Sequence, residues 1–162
     1  MTKRSHTDYE AIVTIPSLNV RLGIQTQQHA LSSIDFLPPK GSELKPVSPL
    51  ARRIVTKLQA YFADPHTRFS LPLHLSGTAF QRRVWESLRK LPAGRTKNYG
   101  ELAKQLGTGA RAVGNACRAN PIPIVVPCHR VLAAHGLGGY SGETSGSSLG
   151  IKRWLLEHES RA

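Results

Sequence analysis

The sequence predicts an α+β chain in two parts, a small sheet with one covering helix followed by a mainly helical half. Three observations carry this: short β-branched or alternating runs between residues 11 and 36, amphipathic helical periodicity after them, and a change of character near Leu75 to Gly77. The expected domains are residues 1–74 and 75–162.

Ala11-Ile12-Val13-Thr14-Ile15, Val20-Arg21-Leu22-Gly23-Ile24 and Leu31-Ser32-Ser33-Ile34-Asp35-Phe36 are separated by turn-prone residues and read as an antiparallel meander. Pro38-Pro39-Lys40-Gly41-Ser42 is a loop. Ser48-Pro49 then supplies an N-cap and a proline at the first helical position, and Leu50, Ile54, Leu58 and Phe62 repeat at helical spacing until Asp64-Pro65.

Thr78-Ala79-Phe80-Gln81 is a capping box opening a helix with Phe80, Val84, Leu88 and Leu91 on one stripe, ended by Pro92-Ala93-Gly94. Asn98-Tyr99-Gly100-Glu101 starts another helix, continued by Leu102 and Leu106. Gly107-Thr108-Gly109 turns straight into Arg111 to Arg118, the outline of a helix-turn-helix. Ser141 to Gly150 is the one low-complexity stretch, expected as a surface loop.

The chain has 162 residues, 40% apolar and 20% charged, enough to bury a core in one large or two small domains. Its net charge of +12 favours a polyanionic partner, nucleic acid ahead of an anionic membrane surface. Residues 1–75 hold 9 basic and 5 acidic side chains and residues 76–162 hold 13 and 5, so the excess sits with the helix-turn-helix. Two cysteines make no disulfide framework, and Met1 to His6 lacks the apolar core of a signal peptide, which points to a reducing compartment. The longest apolar run, Ile122 to Val126, contains a proline and is too short to span a bilayer.

On a helical wheel Arg111, Gly114, Asn115 and Arg118 share one side, away from Val113, Ala116 and Cys117. Such a basic, low-profile face suits close approach to a phosphate chain, and equally suits a merely solvated surface helix. Cys117 reads as a core residue. Prolines 121, 123 and 127 stiffen a strand-like apolar run that ends at Cys128, with His129 and Arg130 beside it. That is the setting of an activated thiolate, with His129 serving the sulfur through a bridging water; a buried structural cysteine is the alternative. Glu159 lies at the edge of the apolar face of the last helix (Ile151, Trp154, Leu155, His158) and either reaches inward or stays solvated. The cysteines and histidines show no zinc-ligand spacing.

Pro127-Cys128-His129-Arg130-Val131 resembles the active-site signature of the O6-alkylguanine-DNA alkyltransferases, also called methylated-DNA-protein-cysteine methyltransferases. Phe80-Gln81, Val84-Trp85, Leu91 to Gly94, Tyr99 to Ala103, Arg111 to Gly114, Arg118 to Pro121, Tyr140-Ser141-Gly142 and Lys152 to Leu156 follow in the same order, so the likeness spans about residues 72–159. The resemblance implies a ribonuclease H-like N-terminal domain and a winged-helix-like C-terminal domain. It implies a suicide DNA repair protein that takes the alkyl group of O6-alkylguanine, and of O4-alkylthymine, onto Cys128. His129, held by Glu159, would take the thiol proton through water, and Asn120 would be the hinge between recognition helix and nucleophile. Arg111 would enter the base stack as the nucleotide flips, Gly114, Asn115 and Arg118 would meet DNA, and Tyr99, Val131, Tyr140 and Ser141 would contact the flipped base. No cofactor or structural zinc is implied. The partner is double-stranded DNA, with no membrane and no obligate protein partner, and with room for several molecules along one duplex; the location is cytoplasmic, or nuclear in a eukaryote. The 142–148 stretch is longer than the family usually shows, which leaves the size of the alkyl pocket open.

Two rival functions use the same residues. A non-catalytic relative would flag alkylated guanine, but such proteins replace the cysteine. A cysteine hydrolase would use Cys128, His129 and Asn120 and would cycle, whereas an alkyltransferase is consumed.

Overall fold

A computed structural model describes residues 5–140 and 147–161. The chain divides into two units, Met1–Ser76 and Gly77–Ala162.

In the first unit β1 (Ala11–Ile15), β2 (Val20–Gln27) and β3 (Ala30–Leu37) form an antiparallel meander in chain order, with Val13 opposite Leu22 and Ile24 opposite Ile34. Both longer strands extend past their predicted ends because Gln28 and His29 take positive φ (53° and 61°), the two-residue primed turn that lets strand pairing run to the tip. Tyr9 lies across β2 at Gly23, where an added Cβ would stand 2.5 Å from its ring, and its hydroxyl donates to Asp35 at 2.7 Å.

Helix α1 (Pro49–Ala63) is capped as its sequence suggests, the Ser48 hydroxyl accepting from the Ala51 amide at 3.1 Å. Its buried stripe is Ala51, Ile54, Val55, Leu58 and Tyr61. Leu50 and Phe62 are half-buried at its flank, so the face is rotated from the predicted one, with Tyr61 filling the core in place of Phe62.

The second unit holds α2 (Ala79–Arg89), β4 (Lys97–Asn98), α3 (Tyr99–Leu106), α4 (Ala110–Arg118), β5 (Val131–Leu132) and α5 (Ser147–Ser160). The capping box at Thr78 is made, with Gln81 N donating to Thr78 Oγ1 at 3.1 Å and Thr78 N to Gln81 Oε1 at 2.9 Å. Val84, Trp85 and Leu88 are the buried positions of α2; Phe80 and Leu91 are half-buried. Trp85 has no exposed surface, and its indole N–H donates to the Ala116 carbonyl at 2.8 Å, fixing α2 against α4. Gly107 closes α3 in the left-handed conformation (φ 68°), and Gly109 caps α4 two residues later. The short β4 and β5 pair in parallel, Lys97 beside Val131. Ser147 to Gly150 begin α5 and are not loop as expected, while Ser141 and the rest of the 142–146 stretch lie outside the described residues.

No helix among the described residues is long and apolar enough to cross a membrane.

Candidate active site

The run from Pro121 to Pro127, buried from Ile122 onward, is not a strand. Its backbone turns on itself: Val126 N donates to the Ile122 carbonyl at 2.9 Å, Cys128 N to the Val126 carbonyl at 2.8 Å, and Ile124 sits at φ 75°. A β-branched residue there is rare and costs on the order of 1–3 kcal/mol, so neighbouring contacts must hold it. Asn120 supplies two of them: its Nδ2 donates to the Val126 carbonyl at 2.8 Å and its Oδ1 accepts from Ile122 N at 3.0 Å. The end of α4 is thereby stapled to the residues just before Cys128.

Cys128, His129 and Arg130 form one 3-10 turn, all three buried. His129 Nε2 shares a 2.9 Å hydrogen bond with Glu159 Oε2. Arg130 clasps the same carboxylate, Nε to Oε1 at 2.9 Å and Nη2 to Oε2 at 2.7 Å, and its Nη1 donates to the Leu91 carbonyl. Glu159 therefore reaches inward. Burial alone would raise its carboxyl, but hydrogen bonds from Arg130 and His129 outweigh it and hold the group well below the usual carboxylate range. Burial keeps His129 below its ordinary value against the pull of Glu159, so the ring is neutral at pH 7. Its Nδ1 is buried without a hydrogen-bond partner among the described residues.

These facts correct one expectation about the thiol. Its positive surroundings do not come from the adjacent His129 and Arg130, since the first is neutral and the second is spent on Glu159. Burial pushes the Cys128 thiol up, opposed by a hydrogen bond from Asn120, by the charge of Lys152 and by a backbone hydrogen bond.

Arg111, Asn115 and Arg118 are exposed on α4, Gly114 lies between them half-buried, and Val113, Ala116 and Cys117 face inward. Burial pushes the Cys117 thiol up to about 12, an inert, protonated group. Tyr99 opens α3, its ring 4.0 Å from where a Gly114 Cβ would stand and 3.0 Å from that of Gly138. Burial and the two nearby thiols push its hydroxyl up to about 12, so it stays protonated and able to donate. Val131 and Tyr140 are buried. Trp154 and His158 are half-buried and stack on each other at 4.8 Å; the wholly inward residues of α5 are Ile151, Lys152, Leu155 and Glu159.

The structure thus brings Asn120, Cys128, His129 and Glu159 together, with Tyr99 coupled electrostatically to the sulfur, and leaves Arg111, Asn115 and Arg118 on an outer face. Sequence reasoning missed the roles of Arg130 and Lys152. A lysine one residue after Ile151 and three before Leu155, on the apolar side of a helix, was the available signal. Asn120 spends its amide on its own segment and makes no bond to His129, which is not the orienting triad a cysteine hydrolase needs. Among the described residues no cluster of three His, Cys, Asp or Glu side chains could hold a metal.

Residues 79–161 match the family model described as 6-O-methylguanine DNA methyltransferase, DNA binding domain. A methylated-DNA–protein-cysteine methyltransferase of Mycobacterium leprae is 43% identical over 146 residues, 88% of this chain and 81% of that one. One of Methanosarcina acetivorans is 46% identical over 111 residues, 67% of this chain and 68% of that protein. Among solved structures, Mycobacterium tuberculosis OGT in complex with DNA superposes with a TM-score of 0.77 at 39% identity, covering 93% of this chain and 91% of that one.

Proposed function

The chain belongs to the 6-O-methylguanine DNA methyltransferase family and repairs DNA by taking an alkyl group onto one of its own cysteines; we propose that Cys128 is that cysteine and O6-alkylguanine in duplex DNA its substrate. The observation that carries the assignment is the buried turn in which Cys128 precedes a histidine locked to Glu159. Its chemistry fits a single displacement. The sulfur lone pair attacks the saturated carbon, the carbon–oxygen bond breaks, and its electron pair stays on the guanine oxygen. The thiol proton leaves toward His129 Nδ1, neutral and free to accept, and is finally returned to the departing guanine. Glu159 fixes the ring and steadies its charge while the proton is held. Tyr99, still protonated, donates to the base as it leaves. A thioether offers water no leaving group, so the protein is consumed.

A guanine O6 cannot meet a buried sulfur while stacked, so the base must leave the helix. The helix–glycine turn–helix of α3 and α4 is the reading unit, with Arg111 filling the vacated place and Asn115 and Arg118 on the backbone. The net charge of +12 supports DNA as partner. The winged-helix-like reading of this unit is supported by α3, α4 and the β4–β5 pair, and the ribonuclease H-like reading of the first unit by its meander and covering helix. We place the protein in the cytoplasm, or the nucleus in a eukaryote, where its DNA is. Mixing it with increasing amounts of an O6-methylguanine duplex tests the reaction class: repaired duplex should plateau at one equivalent per protein, and continued turnover would favour a hydrolase.

A further inference from the structure

The excess positive charge of the first unit lies in one stretch. Residues 1–43 hold four basic and four acidic side chains, whereas residues 44–76 hold five basic ones (Lys45, Arg52, Arg53, Lys57 and Arg68) and one acid, Asp64. That acid is engaged locally at the end of α1, its Oδ1 accepting from His66 N at 3.0 Å. No ion pair among the described residues involves any of the five cations. Opposite the buried stripe of α1, Arg52 stands on one flank of the outer face and Arg53 and Lys57 on the other, with the low-profile Thr56, Ala60 and Ala63 between them. Arg53 also donates to the Ser70 carbonyl, which brings the segment carrying the exposed Arg68 to that second flank. Helix stability does not favour this arrangement. The first turn, where the helix dipole favours an acid, has none, and Arg53 and Lys57 are like charges at i, i+4, which repel. A face serving only solubility would mix both signs. Cations on both sides of a low centre suit a phosphate chain laid along it.

We propose that the outer face of α1 is a further DNA-binding surface, separate from α4, that contacts the phosphate backbone of duplex DNA without regard to sequence or lesion. Charge complementarity calls for a polyanion, and the choice of duplex DNA rests on the repair function proposed above. Each phosphate that a lysine or arginine neutralises releases condensed counterions, so this surface adds an affinity that weakens as salt rises. Its contribution is to the hold on undamaged DNA.

The test measures binding of an undamaged duplex by the full chain over a range of salt, in the wild type, in Arg52→Gln/Lys57→Gln and in Lys40→Glu. The last removes the same amount of positive charge from the balanced stretch, and Arg53 is kept because its bond to Ser70 belongs to the fold. Losing two phosphate contacts should lower the salt slope of Arg52→Gln/Lys57→Gln by about two and weaken its binding at low salt, with Lys40→Glu close to the wild type. A wild-type slope in the folded double variant overturns the proposal. Equal losses in both variants also overturn it, because they show only the overall charge at work. So does an unchanged duplex slope joined to lost binding of anionic phospholipid vesicles, which assigns the face to a membrane. If the double variant does not fold, the wild type decides: saturating undamaged duplex should protect Lys57 from acetic anhydride and leave Lys40 reactive, and an unprotected Lys57 overturns the proposal. Should the wild type fail to take a methyl group from an O6-methylguanine duplex, the repair function falls, while the salt slopes still decide whether α1 holds DNA.

Discussion

His129 and Glu159, thirty residues apart in sequence, share a 2.9 Å hydrogen bond at a place where neither reaches solvent. Both ends of that bond make the fold sensitive to acid. Glu159 titrates below its usual range when folded, so its contribution is complete above about pH 4.3 and is lost as pH falls toward the folded value. His129 also resists protonation when folded, so stability falls as pH drops below about 6.5. Urea melts should show declining stability across this window, with the carboxylate portion flattened in Glu159→Gln.

The same variant tests the relay. Removing the Glu159 charge strands the Arg130 guanidinium and should cost about 3 kcal/mol of stability. In the fraction that stays folded, transfer at neutral pH should slow while affinity for duplex DNA holds, because Glu159 is buried whereas the arginines of α4 are exposed. Equal loss of both would make Glu159 purely structural. The measurement is single-turnover kinetics beside a binding isotherm.

Gly114 should separate stability from function. It lies inside α4 in ordinary backbone conformation, and an added Cβ would meet Tyr99 at 4.0 Å, an ordinary contact. Gly114→Ala should therefore raise stability by up to about 1 kcal/mol. It should also weaken duplex binding, since the methyl group stands where the DNA backbone would come close. A thermal melt with a binding titration checks both; a stabilised variant with unchanged affinity would remove α4 from the DNA interface.

Arg111 and Arg118 are both exposed on α4 and should fail differently. Arg111→Ala should slow repair of duplex strongly and affect a single strand or the free base much less, because only the duplex must refill a gap in its stack. Arg118→Ala should weaken binding to any sequence and lower the salt slope by about one. If Arg111→Ala loses the same factor on all three substrates, the arginine serves the site or the fold.

Much of this was legible from local rules. Ser48, Thr78, Asn98 and Gly107 do the capping that their positions announce, and the alternation of α4 separated its exposed arginines from Cys117. What was not legible depended on tertiary competition. The apolar run before Cys128 has strand composition, yet three prolines and the Asn120 hydrogen bonds fold it into turns, with Ile124 in a conformation its side chain disfavours. Tyr61 and not Phe62 turned inward because both positions are apolar and only packing distinguishes them. The source of positive charge at the sulfur lay 24 residues away in sequence, on Lys152, whereas adjacency had suggested His129 and Arg130.

Cys128 and Cys117 are about equally buried, and mass spectrometry of peptides from protein reacted with an O6-methylguanine duplex shows which of the two sulfurs is the acceptor. The methyl group should be found on the peptide containing Cys128 alone, with no transfer in Cys128→Ser and full transfer in Cys117→Ser. A methyl group on Cys117, or transfer that survives Cys128→Ser, would show that Cys128 is not the acceptor.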